Sequence, residues 1–234
     1  SAIASASINV TAVNDAPTTA PVLLPSIAED SGARLIAQAD LLALAQDVDG
    51  DALVAINLRL SGGAGSLVDN GDGSWIYRAP ANFNGPVLFS YELSDGTQDV
   101  AGSARLEITP VNDSPVAGPV ALASIAEDSG ARIITQAELL SRASDVDGDA
   151  LLATDLRISS GAGTLADNGD GSWTYTPTLN DHGVVGLSFS ISDGTASTDA
   201  SATLTITPVN DAPVLQVAGQ TTAVSVGHDE NSTA

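Results

Sequence analysis

The sequence predicts an all-β protein made of two successive β-sandwich domains, each with about seven strands and one short helical turn. Three observations predict this fold: an internal repeat, short segments of alternating apolar residues, and turn residues between those segments. The sequence VNDSP at residues 111–115 has near copies, VNDAP, at residues 13–17 and 209–213, so the period is 98 residues both times. Roughly three in five of residues 21–115 are identical to the residue one period later. A period of this length favours two ordinary domains over one large domain.

The repeat also predicts the domain boundaries. We expect complete repeats at residues 18–115 and 116–213. Residues 1–17 match the last strand and linker of a repeat, so we expect them to belong to a preceding copy. Residues 214–234 are expected to begin a third copy that is cut off, because residues 228–234 resemble residues 125–131. The sequence is therefore interpreted as a piece of a tandem array, with the segments that direct its export lying elsewhere.

The first half of a repeat begins with a strand and a turn. Residues 22–27 are predicted as a strand that ends at the turn residues EDSG, 29–32. Residues 37–45 have apolar residues at helical spacing over a short length, which predicts one helical turn. The acidic loop DVDGD at 47–51 then leads into a strand at 52–60. The predicted core residues of that strand are Leu53, Ile56, Leu58 and Leu60.

The second half reads as two hairpins. Residues 65–68 and 74–77 flank DNGDG, and Asn-Gly or Asp-Gly between two strands is a strong hairpin signal. Residues 86–93 alternate, which predicts that Val87, Phe89, Tyr91 and Leu93 share one face. The turn SDGT at 94–97 leads into the last strand at 100–109. Short strands at these intervals are typical of a β-sandwich.

Composition limits the partners. The chain has 29 acidic residues against seven arginines and two histidines, for a net charge of −22. Nucleic acids and anionic membranes need cationic surfaces, so we expect neither as a partner. Divalent cations are expected partners, although acidic residues also serve solubility alone. The absence of cysteine excludes disulfides and thiolate sites, and no apolar run approaches the ~20 residues of a membrane span.

The acidic loops are the candidate metal sites. Calcium takes six to eight oxygen ligands from carboxylates, amides and carbonyls. Alternate aspartates on an extended loop point to the same side, and Gly50 and Gly148 allow the backbone to wrap around a cation. A polar turn without metal remains the alternative from the motif alone. The loop residues are Asp47, Asp49 and Asp51 in the first repeat and Asp145, Asp147 and Asp149 in the second.

The order of motifs resembles cadherin repeats: EDS, then DVDGD, then SDGT, then a last strand running into VNDAP. It resembles more closely the bacterial cadherin-like, immunoglobulin-like tandem repeats of large type I-secreted surface adhesins of the repeats-in-toxin class. The resemblance covers both complete repeats and both partial ones. It implies calcium at the junction of successive repeats, a location outside the cell or on the bacterial surface, and a role in adhesion and biofilms.

The resemblance also implies the ligands at each junction. The junction of the two complete repeats would use Glu29, Asn112, Asp113, Asp145, Asp147 and Asp193. The preceding junction would use Asn14, Asp15, Asp47, Asp49 and Asp95. The following junction would use Glu127, Asn210 and Asp211, with its remaining ligands beyond this sequence. Whether Asp51 and Asp149 bind metal or cap the next strand stays open. Pro110 and Ser114 stand where cadherin linkers carry further ligands, which implies fewer ions per junction.

Other functional classes have weaker support. His182 and His228 belong to no duplicated site, so a serine triad or a zinc centre lacks partners, and we expect no enzyme. Trp75 and Trp173 recur, but each shares a strand face with a tyrosine, which favours core packing over sugar binding. The hairpin acids Asp69, Asp72, Asp167 and Asp170 lack the later glutamate of a calcium loop and are predicted as plain turns.

We therefore predict a calcium-rigidified extender module that holds a distal adhesive domain away from a bacterial surface and is itself a monomer. The alternative is a module that binds a glycan or a protein. A self-associating matrix unit is the third reading.

Overall fold

The computed structural model describes residues 6–212, 214–217 and 220–225. The chain divides into two compact units, and the boundary lies between Val111 and Asn112. Each unit is nearly all β, as the sequence predicts. Residues 6–16 have no strand, although residues 6–13 match part of the last strand of a repeat. In a complete unit that strand is paired on both sides by strands of the same unit.

The first unit contains seven strands and one helical turn. Its elements are β1 (Val22–Ala28), β2 (Ala33–Ala37), α1 (Gln38–Leu41), β3 (Val54–Gly62), β4 (Ser66–Asp69), β5 (Ser74–Arg78), β6 (Gly85–Ser94) and β7 (Asp99–Thr109). One sheet has the order β1-β7-β6-β3 and the other the order β2-β5-β4. The first strand pairs in parallel with the last, and the other pairs are antiparallel.

The second unit repeats this arrangement. Its elements are β8 (Val116–Ala117), β9 (Val120–Ala126), β10 (Arg132–Thr135), α2 (Gln136–Leu139), β11 (Ala143–Ser144), β12 (Leu152–Ser160), β13 (Thr164–Asp167), β14 (Ser172–Thr176), β15 (Gly183–Ser192) and β16 (Ser197–Thr207). The sheets have the orders β12-β15-β16-β9 and β10-β14-β13, with a small β11-β8 pair. After residue 213, β17 (Val214–Val217) and β18 (Gln220–Ser225) form an antiparallel hairpin. The expected match at residues 228–234 lies outside the described residues.

The core of each unit lies between its two sheets. On β6, the predicted alternation is confirmed, because Val87, Phe89, Tyr91 and Leu93 are all at most 2% exposed. The ring of Tyr77 from the smaller sheet meets Phe89 of the larger sheet edge to face, with 5.6 Å between ring centres. Burial of such a side chain contributes about 1.5 to 3 kcal/mol. The two sheets are thus joined by apolar contacts at the centre of the unit.

The core prediction for β3 is partly wrong. Ala55 and Leu58 are the buried residues of this strand, whereas Ile56 and Leu60 are only partly buried. The pairing of β3 with β6 shifts between Ile56 and Arg59, and Asn57 in the bulge has φ of 57°. A bulge adds a residue to one strand and so interrupts the alternation on which the prediction rested. Leu53, just before the strand, is also only partly buried against the core.

The helical turn is fixed to the sheets by a side chain. Gln38 at the start of α1 donates from Nε2 to the carbonyl of Ala55 (2.7 Å) and accepts at Oε1 from the N–H of Ala55 (2.8 Å). Gln136 makes the same pair of hydrogen bonds with Ala153 in the second unit. These bonds hold the turn beside the core, and the acidic loop that follows it starts from a fixed position.

Candidate functional site

The loop at residues 47–51 is folded around the carboxylate of Asp47. Its Oδ1 atom accepts hydrogen bonds from the backbone N–H groups of Asp49 (2.9 Å), Gly50 (3.0 Å) and Asp51 (3.3 Å). Gly50 has φ of 83°, a conformation that glycine adopts without strain. The carboxylates of Asp47, Asp49 and Asp51 each place an oxygen within 4.8 Å of the others.

The linker that enters the first unit is attached to this loop. The backbone N–H of Asp15 donates to Oδ2 of Asp49 at 2.7 Å. The side-chain amide of Asn14 donates to Oδ2 of Asp95 at 3.0 Å, which brings in the turn before the last strand. We call the six residues of this arrangement the entry cluster. In the first unit they are Asn14, Asp15, Asp47, Asp49, Asp51 and Asp95.

The second unit has the same entry cluster one period later. Asn112 Nδ2 donates to Asp193 Oδ2 (3.0 Å), and the N–H of Asp113 donates to Asp147 Oδ2 (2.7 Å). Asp145 Oδ1 accepts from the N–H groups of Asp147 (2.9 Å) and of Asp149 (3.4 Å). The cluster consists of Asn112, Asp113, Asp145, Asp147, Asp149 and Asp193. The structure thus brings together the ten residues expected at the two entry ends, and it adds Asp51 and Asp149, whose role the sequence left open.

One loop aspartate in each unit has a buried oxygen without a donor among the described residues. Asp47 Oδ2 and Asp145 Oδ2 are inaccessible to solvent and accept no hydrogen bond from the part of the chain that the structure describes, while their Oδ1 atoms hold the loop. A buried polar atom normally has a partner, and a buried charge without one is costly. Neighbouring carboxylates add repulsion to that cost. A cation at this position would remove both costs.

Asp95 and Asp193, the entry-cluster residues that lie in the turn before the last strand of each unit, are stabilised in the charged form. The pKa of Asp95 is lowered by the side-chain amide of Asn14 and by the N–H groups of Gln98 and Thr97. The pKa of Asp193 is lowered by the N–H of Ala196 and then by the Asn112 side chain. A hydrogen bond to a carboxylate favours its ionised form. Both aspartates are therefore anionic at neutral pH.

A buried glutamate lies where the chain leaves the first unit. Glu29 is 3% exposed. Its Oε1 atom accepts from the backbone N–H of Val111 (2.7 Å), and its Oε2 atom accepts from the side chain of Asn84 (3.4 Å). The start of the linker is therefore fixed to the end of the first strand.

The second unit has the corresponding glutamate at the end of its own first long strand, β9. Glu127 is 4% exposed, and its Oε1 atom accepts from the N–H of Val209 at 2.7 Å. Oxygens of Glu127, Asp128 and Asp211 lie within 4.8 Å of one another. We call these three residues the exit cluster. Asn210, also predicted as a ligand, donates its side-chain amide to the carbonyl of Asp211 (3.3 Å).

The sequence analysis did not assign three contributors to these ends. Asn84 and His182 stand at equivalent positions and contact the buried glutamates. Asp128 belongs to the exit cluster. Asn84 lies in a segment between β5 and β6 to which the sequence analysis assigned no role. Asn84 directly precedes β6 in the sequence. The sequence alone does not show that this position lies beside the end of β1, because that contact depends on the order of the strands in the sheet.

The oxygens of the entry cluster fit a calcium ion. Calcium binds oxygen at about 2.3 to 2.6 Å, so two ligands of one ion are at most about 5 Å apart. The three loop carboxylates of each entry cluster meet that limit. The atoms of these residues that could bind a metal are all oxygens, from carboxylates, amides and carbonyls. Hard oxygen ligands of this kind suit calcium and magnesium more than softer metals.

The other candidates have structural roles. Asp69 and Asp72 accept hydrogen bonds from the N–H groups of Gly71 and Ser74 within their hairpin turn. Asp167 and Asp170 do the same in the second unit. Trp75 and Trp173 are buried in the two cores, so neither offers a ring face to a sugar.

Among the described residues, no helix is long and apolar enough to span a membrane.

Comparisons with known proteins identify the fold and the family. No curated protein matches the sequence. Human protocadherin-24 EC1-2 is similar in structure, with a TM-score of 0.52 and 20% identity over 85% of this chain and 100% of that one. Drosophila N-cadherin EC1-4 has a TM-score of 0.34 and 17% identity over 86% of this chain and 53% of that one.

An endo-fucoidan hydrolase, MfFcnA4 from glycoside hydrolase family 107, also matches. Its TM-score is 0.33 and its identity 20%, over 83% of this chain. The chain spans only 29% of the length of that enzyme. This likeness carries no argument about activity.

The family comparison is more specific than the structural ones. The cadherin-like domain model matches residues 13–109 and 111–207, so the match occurs twice in tandem and includes both entry clusters. Together these matches cover most of the chain, and the chain belongs to the cadherin-like domain family.

Proposed function

We propose that the chain is a calcium-rigidified extender module of a large bacterial surface adhesin. Its repeats, at residues 18–115 and 116–213, would hold a distal adhesive domain away from the cell, in adhesion and biofilm formation. Cadherin-like domains are generally extracellular and calcium-binding, which supports the setting. We further propose export by type I secretion, as in the repeats-in-toxin class, and a monomeric, non-enzymatic module.

The observation that carries this proposal is the double use of the linker. The linker residue Asp113 donates its N–H to the entry cluster of the second unit. Its equivalent one period later, Asp211, lies with Glu127 in the exit cluster of the same unit. The same linker position therefore serves the entry end of one repeat and the exit end of another. We propose that a calcium ion at each junction takes ligands from both repeats and from the linker.

The residues of the chain have distinct roles in this proposal. The backbone N–H groups hold Oδ1 of Asp145 and leave its buried Oδ2 available to the ion. Asn112 fixes the linker to Asp193, so the linker is already in place when calcium arrives. Calcium supplies the positive charge that offsets the repulsion among the carboxylates. Without it, repulsion favours separation of the acidic groups and a flexible joint.

The expected affinity fits an extracellular switch. Extracellular calcium modules bind at about 0.1 to 1 mM. The chain would therefore bind no calcium before export and would bind calcium after it. The gain per site is modest, about 2.7 kcal/mol at a hundredfold excess over the dissociation constant. Rigidity over a long array would then come from many junctions.

Small-angle X-ray scattering with a calcium titration tests the proposal. We expect the maximum dimension of the chain to rise to a limit as calcium reaches the millimolar range. The variant Asp145→Asn removes the buried oxygen at the junction of the two repeats and should abolish that rise. The matched control Asp47→Asn makes the same change in the entry cluster of the first unit and should leave the rise intact.

A scattering profile that does not respond to calcium, with both domains folded by circular dichroism, would rule out rigidification. The alternative function, binding of a glycan or protein, would then become the leading hypothesis. The burial of Trp75 and Trp173 already removes its most direct sugar platform.

A further inference from the structure

The hairpin turn between β4 and β5 contains an asparagine followed by a glycine, and the second unit repeats this pair between β13 and β14. The pairs are Asn70-Gly71 and Asn168-Gly169, and all four residues are exposed. The two glycines have φ of 77° and 76°. A methyl group added to either glycine would meet no atom within 4 Å. The backbone nitrogen that follows each asparagine is therefore open to reaction with the asparagine side chain.

The reaction available to such a pair is ring closure within the chain. The backbone nitrogen of the glycine attacks Cγ of the asparagine, so an N–Cγ bond forms and the Cγ–Nδ2 bond breaks. Ammonia leaves and carries away the proton of the glycine N–H. Water then opens the cyclic imide at one of its two carbonyls and leaves either aspartate or isoaspartate. Both reacting groups belong to neighbouring residues, and this proximity favours the reaction.

Each turn also places a carboxylate at the reacting nitrogen. The N–H of Gly71 donates to Oδ1 of Asp69 at 2.8 Å, and the N–H of Gly169 donates to Oδ1 of Asp167 at 2.8 Å. A general base must lie within about 2.6 to 3.2 Å of the atom whose proton it takes. The two aspartates meet this requirement, so both turns hold the nucleophile and a base.

The two turns differ in the hydrogen bonds of the asparagine amide. Asn70 Nδ2 donates to Oγ of Ser74 at 2.9 Å, and its Oδ1 accepts no hydrogen bond from any residue that the structure describes. Asn168 Nδ2 donates to Oγ of Ser172 at 2.9 Å. Asn168 Oδ1 also accepts from the hydroxyl of Thr174 at 2.9 Å. The second unit therefore holds its amide by one more hydrogen bond than the first.

We propose that Asn70 is a site of spontaneous deamidation and that the hydroxyl of Thr174 protects Asn168 from the same reaction. Ring closure turns the amide toward the next backbone nitrogen, so it breaks the hydrogen bonds that hold the amide to β5 or β14. Asn70 loses one such bond and Asn168 loses two. In the first repeat Ile76 stands at the position of Thr174 and offers no hydroxyl.

Deamidation changes both the charge and the backbone of the hairpin. A carboxylate replaces the neutral amide of Asn70, between Asp69 and Asp72. Isoaspartate also routes the backbone through the side-chain methylene, in a turn that the N–H of Asn70 closes onto the carbonyl of Ser74 at 3.0 Å. The proposed function assigns no calcium ion to the hairpins, so this inference stands apart from it.

Reciprocal exchange of the differing residue tests the inference on the whole chain. The parent and the variants Thr174→Ile and Ile76→Thr are incubated in mildly alkaline buffer. Peptide mapping by mass spectrometry then measures the converted fraction of each asparagine. Cleavage after arginine releases Asn70, Asn84 and Asn168 in separate peptides, so the remaining Asn-Gly pair, at Asn84, is measured apart.

We expect Asn70 to react roughly two- to tenfold faster than Asn168 in the parent, which is the effect of one hydrogen bond of ordinary strength. Thr174→Ile should raise the rate at Asn168 by a similar factor and leave Asn70 unchanged. Ile76→Thr should lower the rate at Asn70. Circular dichroism checks that both variants are folded.

Equal rates in the parent, or rates that neither exchange changes, would overturn the inference. No conversion of Asn70 after a synthetic peptide of residues 66–78 has fully converted would also overturn it. A faster reaction at Asn168 would do the same, because the Thr174 hydroxyl would then be assisting the reaction by donating to the oxygen on which charge develops.

Discussion

Two acidic loops of the first unit contain the same residue types but use their carboxylates differently. In the entry loop, Asp47 accepts from the N–H of Gly50, and in the hairpin turn, Asp69 accepts from the N–H of Gly71. Both glycines have φ near 80°. The difference lies in the second oxygen. Asp47 Oδ2 is buried and accepts no hydrogen bond from any described residue, whereas Asp69 is exposed and water can reach it.

This difference is the reason that we propose a calcium ion at the entry loop and not at the hairpin turn. The hairpin carboxylates shape a turn and face solvent, so a cation would gain little by displacing water from them. The entry loop adds the linker, whose N–H at Asp15 holds Asp49 beside Asp47. The linker therefore helps to keep the loop carboxylates close together.

Removal of the buried oxygen should have the largest effect on calcium affinity. Asp47→Asn keeps the Oδ1 acceptor of the loop and replaces Oδ2 by an amide. We expect calcium affinity at this entry cluster to fall at least about tenfold, which is about 1.4 kcal/mol. Isothermal titration calorimetry measures the change.

The matched control is Asp69→Asn in the hairpin, which should leave calcium binding unchanged. An equal loss of affinity in both variants would mean that net charge, and not the entry cluster, controls calcium binding.

Calcium should also stabilise the folded chain. At a hundredfold excess over the dissociation constant, each site adds about 2.7 kcal/mol to the free energy of unfolding. Differential scanning calorimetry with calcium and then with a chelator measures the effect. The increase should shrink in Asp47→Asn but persist in Asp69→Asn. An unfolding transition that is independent of calcium would contradict the assignment of the entry clusters.

A glycine substitution in each loop separates loop shape from metal binding. Gly50→Ala and Gly71→Ala both place a side chain at positive φ, which costs roughly 1 to 2 kcal/mol of stability. No neighbouring atom would lie within 4 Å of either new methyl group, so the cost is conformational. Chemical denaturation should give similar losses for both variants. Only Gly50→Ala should also weaken calcium binding, and a loss in Gly71→Ala would break the comparison.

The repeat and the alternation made most of the fold predictable. The period of 98 residues indicated two similar domains. The prediction for β6 was correct because the apolar residues of this strand alternate without interruption. The sequence analysis did not name β2 as a strand. Its five residues have one fully buried side chain, Ile36, so the strand gives little periodic signal. The bulge at Asn57 likewise depends on pairing with β6 and not on β3 alone.

The entry clusters were predictable because each acidic motif repeats in a fixed order along the chain. The repeated motif does not show which carboxylate oxygen lacks a donor. That property arises from burial of Asp47 by the folded loop. The contact of His182 with Glu127 joins residues far apart in sequence, and it depends on the order of strands in the sheet. Both features therefore needed three-dimensional structure.

The smallest expected effect concerns the pKa values of the hairpin aspartates, which should not change when calcium is added. The hydroxyl and the N–H of Ser172 lower the pKa of Asp170 below its ordinary value. Because the folded pKa is depressed, the stabilisation is present above the unfolded value and is lost as pH falls through the folded pKa.

Ser172→Ala removes the hydroxyl donor and should raise the pKa of Asp170 toward its ordinary value. Carboxyl NMR titration measures this shift, and Asp72, which keeps Ser74, is the internal control. Addition of calcium should leave both hairpin pKa values unchanged, and a calcium-induced change at Asp170 would place metal in the hairpin turn after all.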